Sequence, residues 1–235
     1  MKHLKTLSIL ALSSVLLMTG CSKKLSEDKF KEVLQSVTDT VNAGTEVTNV
    51  HIKDNAQYTY DYKEGEFFRY HSFALLILVP VTDTVCTWEE DGKYYHYVNN
   101  TLTKKTEDVE ISKDDFDKYM AEHKKTIQEA LLRTVDAAKT LIAADPVTYI
   151  SVENKFSYAT FEKTYKMSSK NTKEVEVTEG SETKKEIREE TNNIEFKNNL
   201  PKEWIIKNDG KKTWKYTYGD AKFTNPHNTN TSENQ

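Results

Sequence analysis

The chain is poor in the residues that most catalytic and metal-binding sites depend on. Its 235 residues hold two cysteines, four prolines and seven glycines. So few glycines and prolines point to regular elements joined by short turns, with no glycine-rich loop to cradle a phosphate. HExxH, GxSxG, CxxC and EF-hand spacings are all missing. Of the six histidines, His51, His71, His96 and His123 stand isolated in sequence, while His3 and His227 lie towards the two ends. The carboxylates are too many and too scattered to nominate an acid–base pair. The expectation is a non-enzyme with no metal and no cofactor. Clustered positive charge is absent too. The net charge is −4, with lysine and glutamate interspersed, which argues against nucleic acid as a partner. Long apolar runs are scarce: Thr6–Met18 and Phe73–Val81 are each too short to cross a ~30 Å hydrocarbon core as a helix.

What is present begins at the N-terminus, MKHLKTLSILALSSVLLMTGC. Lys2 and Lys5 form a basic start, an uncharged apolar run follows, and Met18-Thr19-Gly20-Cys21 closes it. This closing tetrapeptide resembles a bacterial lipobox, with Met18 at the position more usually held by leucine. The resemblance implies that residues 1–20 are a signal peptide, cut before Cys21. Cys21 would then be acylated and hold the protein on the outer face of a cell membrane. Two or more acyl chains anchor firmly where one does not. Residues 21–25 would be the lipidated cysteine and a short tether, with Lys23 and Lys24 against anionic headgroups. Without Lys2 and Lys5 the net charge becomes −6. With Cys21 acylated, Cys86 has no disulfide partner and reads as a small apolar filler in a strand.

Residues 26–226 read as a single domain. Ser26 caps a helix whose apolar stripe is Phe30, Val33, Leu34, Val37 and Val41, with Gly44 as its stop. From Glu46 the period changes to two, placing Tyr58, Tyr60 and Tyr62 on one face. Asp91-Gly92 marks a hairpin between Val85–Glu90 and Lys93–Val98. Ser112 and Asp115 cap a second helix that runs to Asp145-Pro146. Its stripe includes Phe116, Tyr119, Met120, His123, Ile127, Leu131 and Val135. About 48 Å of helix is long for a domain about 40 Å across, so a bend or a split into a helix pair is expected. Strands return from Thr148 to Phe223, and residues 227–235 read as a disordered polar tail. Helix, meander, long helix, meander is an α+β order: a curved antiparallel sheet with helices on one face.

That order resembles the LolA-like and LppX/LprG-like half-barrel lipoprotein-carrier superfamily over most of residues 26–226. The capped helix Ser26–Val41, the segment TWEEDGKYYHYVNN, the helical insert Lys113–Ala144 and the last strand WKYTYGDAKFTNP carry the likeness. The resemblance implies a half-barrel that holds an acyl chain or lipid between sheet and helices.

Phe73-Ala74-Leu75-Leu76-Ile77-Leu78-Val79-Pro80-Val81 bears on that reading, because it lacks charge and hydroxyl in a chain that is 30% charged. It is a strand buried on both faces, the lining or rim of a lipid pocket, or a loop that touches protein or membrane. As a pocket, the site would comprise Phe73, Leu75, Leu76, Ile77, Leu78 and Val79, faced by Phe116, Tyr119, Met120 and Ile127 of the long helix. Tyr58, Tyr60, Tyr95 and Tyr97 would supply amphipathic walls. Two functions follow. One is a membrane-anchored lipoprotein that binds a lipid or other hydrophobic ligand. The other is a tethered module that contacts an envelope or host protein.

Overall fold

The computed structural model of the chain describes residues 22–227, apart from 56, 77–78, 145–149, 161–162, 180–181 and 224. Strands β1 (Lys23–Leu25), β2 (Asn49–Asp54), β3 (Tyr58–Lys63), β4 (Phe67–Leu76), β5 (Val79–Glu90), β6 (Lys93–Asn100) and β7 (Lys105–Ile111) come from the N-terminal half. Strands β8 (Ser151–Ala159), β9 (Thr164–Glu179), β10 (Glu182–Lys197), β11 (Leu200–Asn208) and β12 (Lys211–Gly219) follow the second helix. They form one open antiparallel sheet in the order β1-β8-β9-β10-β11-β12-β2-β3-β4-β5-β6-β7. The two meanders therefore join where β12 pairs with β2, Tyr216 opposite Asp54. Helices α1 (Glu27–Ala43) and α2 (Lys113–Ile142) pack on one face, giving the α+β half-barrel expected.

Local chemistry sets the helix ends. Ser26 accepts from the Lys29 N–H, and Gly44 closes α1 in the left-handed region, φ 71°, donating to Thr40 and Val41. The α2 side chain Gln128 donates to the Val41 carbonyl at 2.6 Å, so one helix caps the other. Ser112 caps α2 with Asp115 in the expected box. The expected split into a helix pair is not found: α2 is one continuous 30-residue helix. It is about 45 Å long, and twelve strands spaced about 4.8 Å apart give a sheet wide enough to carry it across.

Because every pairing is antiparallel, the connections alternate between two ends of the sheet. The base holds the β3–β4, β5–β6, β8–β9 and β10–β11 turns, the start of β1 and the start of α2. The top holds the β2–β3, β4–β5, β6–β7, β9–β10 and β11–β12 connections. The core sits over the lower half of the helix-covered face. There Phe30, Leu34, Val37 and Val41 of α1 and Ile127, Leu131, Val135 and Ala138 of α2 meet Val50, Ile52, Tyr62, Phe196 and Tyr218 of the sheet. Phe30 lies 4.8 Å from Phe156 and 6.2 Å from Phe196, centroid to centroid. At about 25 cal/mol per Å², such burial is the main driving force for docking the helices.

Two expectations about the chain ends change. Lys23–Leu25, read as tether, pairs with Tyr158, Ser157 and Phe156 as an edge strand. His227, assigned to the disordered tail, is docked. Ala221–Phe223 and Asn225–His227 strap the opposite face at the base, where Phe223 packs on Phe67 at 4.8 Å and near Trp88. His227 reaches Asp108 at 3.0 Å, and Asn225 donates to Glu90. These are satisfied hydrogen bonds and ring contacts, which polarity alone did not foretell. Cys86 fills this second, smaller core as expected, fully buried with its thiol pushed up to about 12 by desolvation.

Candidate functional site

The strands that build the core change character along their length. Going from base to top, β2 reads Val50, Ile52, Asp54 on the helix-covered face, β3 reads Tyr62, Tyr60, Tyr58, and β12 reads Tyr218, Tyr216, Trp214. The lower members are buried. Of the upper ones, Tyr58, Tyr60, Trp214 and Tyr216 are half-buried, as are Tyr70 of β4 and Trp204 of β11. Period-two alternation places them all on the helix-covered face, towards its top. The result is an aromatic shelf. Trp204 stacks on Tyr216 at 4.9 Å, Trp214 lies 6.2 Å from Tyr216, Tyr58 meets Tyr60 edge-on at 5.2 Å, and Tyr60 meets Tyr70 at 5.0 Å.

Two opposite charges sit among these rings. Arg133 reaches from α2 to donate to Tyr58 Oη at 3.1 Å, its guanidinium 6.0 Å from the Tyr58 ring. Asp54 is only 2% exposed. Burial raises its carboxyl to about 6, against the opposing pull of Tyr58, Arg133 and Trp214. Desolvation likewise pushes Tyr58 up to about 12. Further across the face, Trp204 Nε1 donates to Asn192 Oδ1 at 2.9 Å, and Ser169 bonds Asn171 at 3.0 Å.

The buried polar atoms without a hydrogen-bond partner among the described residues are Asp54 Oδ1, Trp214 Nε1, Asn154 Oδ1 and Asn171 Nδ2. By strand alternation all four belong to the upper half of this same face. The Trp214 indole nevertheless lies against the Asp54 carboxyl, the Asn154 amide donates to the Leu141 carbonyl of α2 at 3.3 Å, and Asn171 accepts from Ser169, so these atoms are poorly aligned members of polar pairs and not isolated groups.

The sequence-predicted residues divide between two places. Phe116, Met120 and Ile127 are core residues, and Tyr119 is half-buried, stacked on His96 at 4.5 Å. They face the base of the sheet, where Phe116 meets Tyr94 at 4.8 Å. The apolar run lies at the other end of β4, so the helix does not face it as expected. Nor is the run buried on both faces: Phe73 is 46% and Leu75 61% exposed. β3 ends opposite Ser72 and β6 opposite Asp83, so the β4–β5 hairpin outruns both neighbours from Phe73 to Thr82. Leu76 and Val79 close it as a backbone pair, and Ile77, Leu78 and Cys21 lie outside the described residues. Phe73 borders a depression of about 300 Å³ with Tyr58, His71 and Lys53. Tyr95 and Tyr97, expected as walls, pack instead on the strap side around Trp88, Tyr95 at 5.2 Å.

Sequence reading named Tyr58 and Tyr60 but missed Asp54, Tyr70, Arg133, Trp204, Trp214 and Tyr216. The alternating runs Tyr58-Thr59-Tyr60-Asp61-Tyr62 and Trp214-Lys215-Tyr216-Thr217-Tyr218 were the available signal, but only the β12–β2 pairing brings them together.

A second group lies under α2. Thr87 Oγ1 is 3.0 Å from His96 Nδ1 and 3.2 Å from His123 Nε2, and His123 stacks on Phe68 at 3.7 Å. Burial lowers both imidazoles, His123 to about 4. Neutral rings locked in this way serve packing. Among the described residues no helix is long and apolar enough to cross a membrane, and no three His, Cys, Asp or Glu side chains converge to hold a metal ion. Compared with known proteins, the chain matches no family model and no curated sequence.

Proposed function

We propose that this chain is an extracytoplasmic lipoprotein, anchored through acylated Cys21, that binds an amphipathic ligand on the open upper half of its concave face and carries out no chemistry on it. The aromatic shelf carries the reading: half-buried rings offer apolar area, while the exposed Arg133 and the Tyr58 hydroxyl offer hydrogen bonds beside it. That mixture of a mostly apolar surface with a few converging polar groups is what ligand sites use. The tether is consistent with this placement. Ser22 sits at the base, so a lipid on Cys21 would hold the base to the bilayer and leave the shelf towards the top.

Native mass spectrometry tests the reading on the chain from Ser22 onward, which contains every strand, both helices and the strap. A co-purifying small molecule that is lost in Trp214→Ala supports it. A ligand-free protein that gains no mass from a membrane extract overturns it.

One observation favours the second reading, a tethered protein-contact module. Phe73 and Leu75 are exposed at the end opposite Ser22, where both are accessible to a partner.

A further inference from the structure

We infer that the upper end of the outer face, the one opposite the helices, docks on an anionic phospholipid surface; this role is separate from that of the concave shelf. The first feature there is apolar. Where β4 and β5 outrun their neighbours, alternation puts Phe73, Leu75 and Pro80 on the outer face, Leu75 opposite Pro80, and all three are exposed. No residue from Phe73 to Val81 is charged or carries a hydroxyl. By the same alternation Asp83 of β5 belongs to the helix-covered face.

The second feature is a band of donors just below. One row across the outer face reads Lys53, Thr59, His71 and Thr84, in register from β2 to β5. The next row up sets Gln57 beside Phe73, whose N–H donates to the Gln57 carbonyl at 2.9 Å. Lys53, Asn55, Gln57, Thr59, His71 and Phe73 line the depression of about 300 Å³. Lys53 is exposed and has no carboxylate partner among the described residues. His71 bonds Thr84 Oγ1 through Nδ1 at 2.9 Å, which leaves its Nε2 available. Asp54 is the acidic residue of that lining, and its carboxyl is buried on the far side of the sheet. The depression thus offers one positive charge and several neutral donors, a set complementary to phosphate oxygens.

The spacing of the two features suits a bilayer edge. Residues on one face repeat about every 6.6 Å along a strand, so Leu75 stands about 13 Å above the Lys53 row. A headgroup layer is about 5–8 Å deep. Leu75 and Pro80 would reach acyl chains while the Lys53 amine, on its flexible stem, stays among the phosphates. A protein partner fits less well. Three side chains on a ribbon two strands wide fall short of the roughly 800 Å² per side that stable interfaces bury, whereas a fluid bilayer closes around a projecting wedge. The chain from Ser22 onward carries −6, so attraction to an anionic surface must be local to this end. β4 runs about 30 Å from Phe67 at the base to Leu76. A chain held by an acylated Cys21 would therefore present this end to a second lipid surface, not to the one that anchors it.

The test is co-sedimentation of the chain from Ser22 onward with sucrose-loaded vesicles. Vesicles of equal parts phosphatidylglycerol and phosphatidylcholine should bind the protein at least about tenfold more tightly than phosphatidylcholine alone. Leu75→Asp and Lys53→Glu should each weaken that binding by about tenfold or more, through the lost apolar contact and the reversed charge. Both sites are exposed, so both variants should melt with the parent protein. Lys202→Glu, the same reversal at an exposed base position, should bind like the parent. No binding to either vesicle, or equal binding to both, overturns the inference. So does a loss in Lys202→Glu as large as in Lys53→Glu, the mark of unspecific attraction. If glycerol 1-phosphate binds in calorimetry and vesicle binding ignores Leu75→Asp, the depression is a site for a free phosphate ester and docking on a bilayer fails.

Discussion

The lower and upper halves of the concave face are built from the same strands, yet they behave as different materials. Below, Val50, Ile52, Tyr62 and Tyr218 are sealed under α1 and α2, and the Tyr218 hydroxyl is paired with Thr134. Above, the same alternation presents Tyr60, Tyr58, Tyr216 and Trp214 half-covered around a buried Asp54, where α2 reaches Tyr58 through Arg133 and Asn154 through the Leu141 carbonyl. The lower half is sealed apolar core, and the upper half holds the side-chain atoms that lack a well-aligned hydrogen bond. One strand can thus serve stability at one end and recognition at the other. A residue's position along the strand, more than its type, decides which.

That contrast can be broken by substitution. Phe30→Ala, which empties a fully buried site between Phe156 and Phe196, should cost about 3–5 kcal/mol in urea unfolding. Tyr216→Ala in the upper half should cost less than about half of that. Equal losses would mean that the upper half is core after all.

The halves also differ in how they respond to acid, and here the signs oppose. His123 has its folded pKa lowered from 6.5 to about 4, so its contribution is complete above pH 6.5 and is lost as pH falls towards 4. By the conversion of 1.36 kcal/mol per unit, that amounts to about 3 kcal/mol. Asp54 has its folded pKa raised from 3.8 to about 6, so stability is highest below pH 3.8 and is lost as pH rises through 6. Between pH 4 and 6 the Asp54 slope should therefore offset part of the acid loss from His123, to which His96 and His71, both lowered by burial, add in the same direction. Asp54→Asn should unmask the acid loss and gain roughly 1–3 kcal/mol at pH 7.5. His123→Phe should unmask the opposite slope. Two flat variants in a pH series of unfolding curves would refute both assignments.

The smallest effect on stability belongs to the hairpin tip. Leu75→Lys, at an exposed site, should change stability by no more than about 0.5 kcal/mol. It should also reduce any concentration-dependent association seen by size-exclusion chromatography. A large drop in melting temperature would show that the tip packs on something within the chain.

Much of the scaffold was legible in the sequence, since Ser26, Gly44, Ser112 and Asp91-Gly92 are local signals with local causes. The α+β class followed from element order. What was not legible was long-range. Nothing in Lys23–Leu25 announces pairing with β8, and nothing in Phe223 or His227 announces docking on Trp88, because both depend on surfaces made by distant strands. The apolar run was noticed for its composition, but composition does not reveal that β3 and β6 stop short of it. The shelf escaped for the same reason: Asp54 and Trp214 lie 160 residues apart, and only the β12–β2 register makes them neighbours.

The hydroxyl of Thr87 stands between two imidazoles and has one proton to give. If it donates to His96 Nδ1, that ring keeps its hydrogen on Nε2, and His123 must present its own Nε2–H to the oxygen. If it donates to His123 Nε2, both rings instead carry hydrogen on Nδ1. The two histidines, on different elements and 27 positions apart in the chain, therefore share a single binary state: both rings adopt one tautomer or both adopt the other. Reversing that state takes a rotation of the hydroxyl and the shift of one proton between the nitrogens of each ring, across the seam between α2 and the sheet. One added proton can settle on the donating ring, on the nitrogen that the hydroxyl does not use, so the hydroxyl loses its acceptor only when both rings are charged.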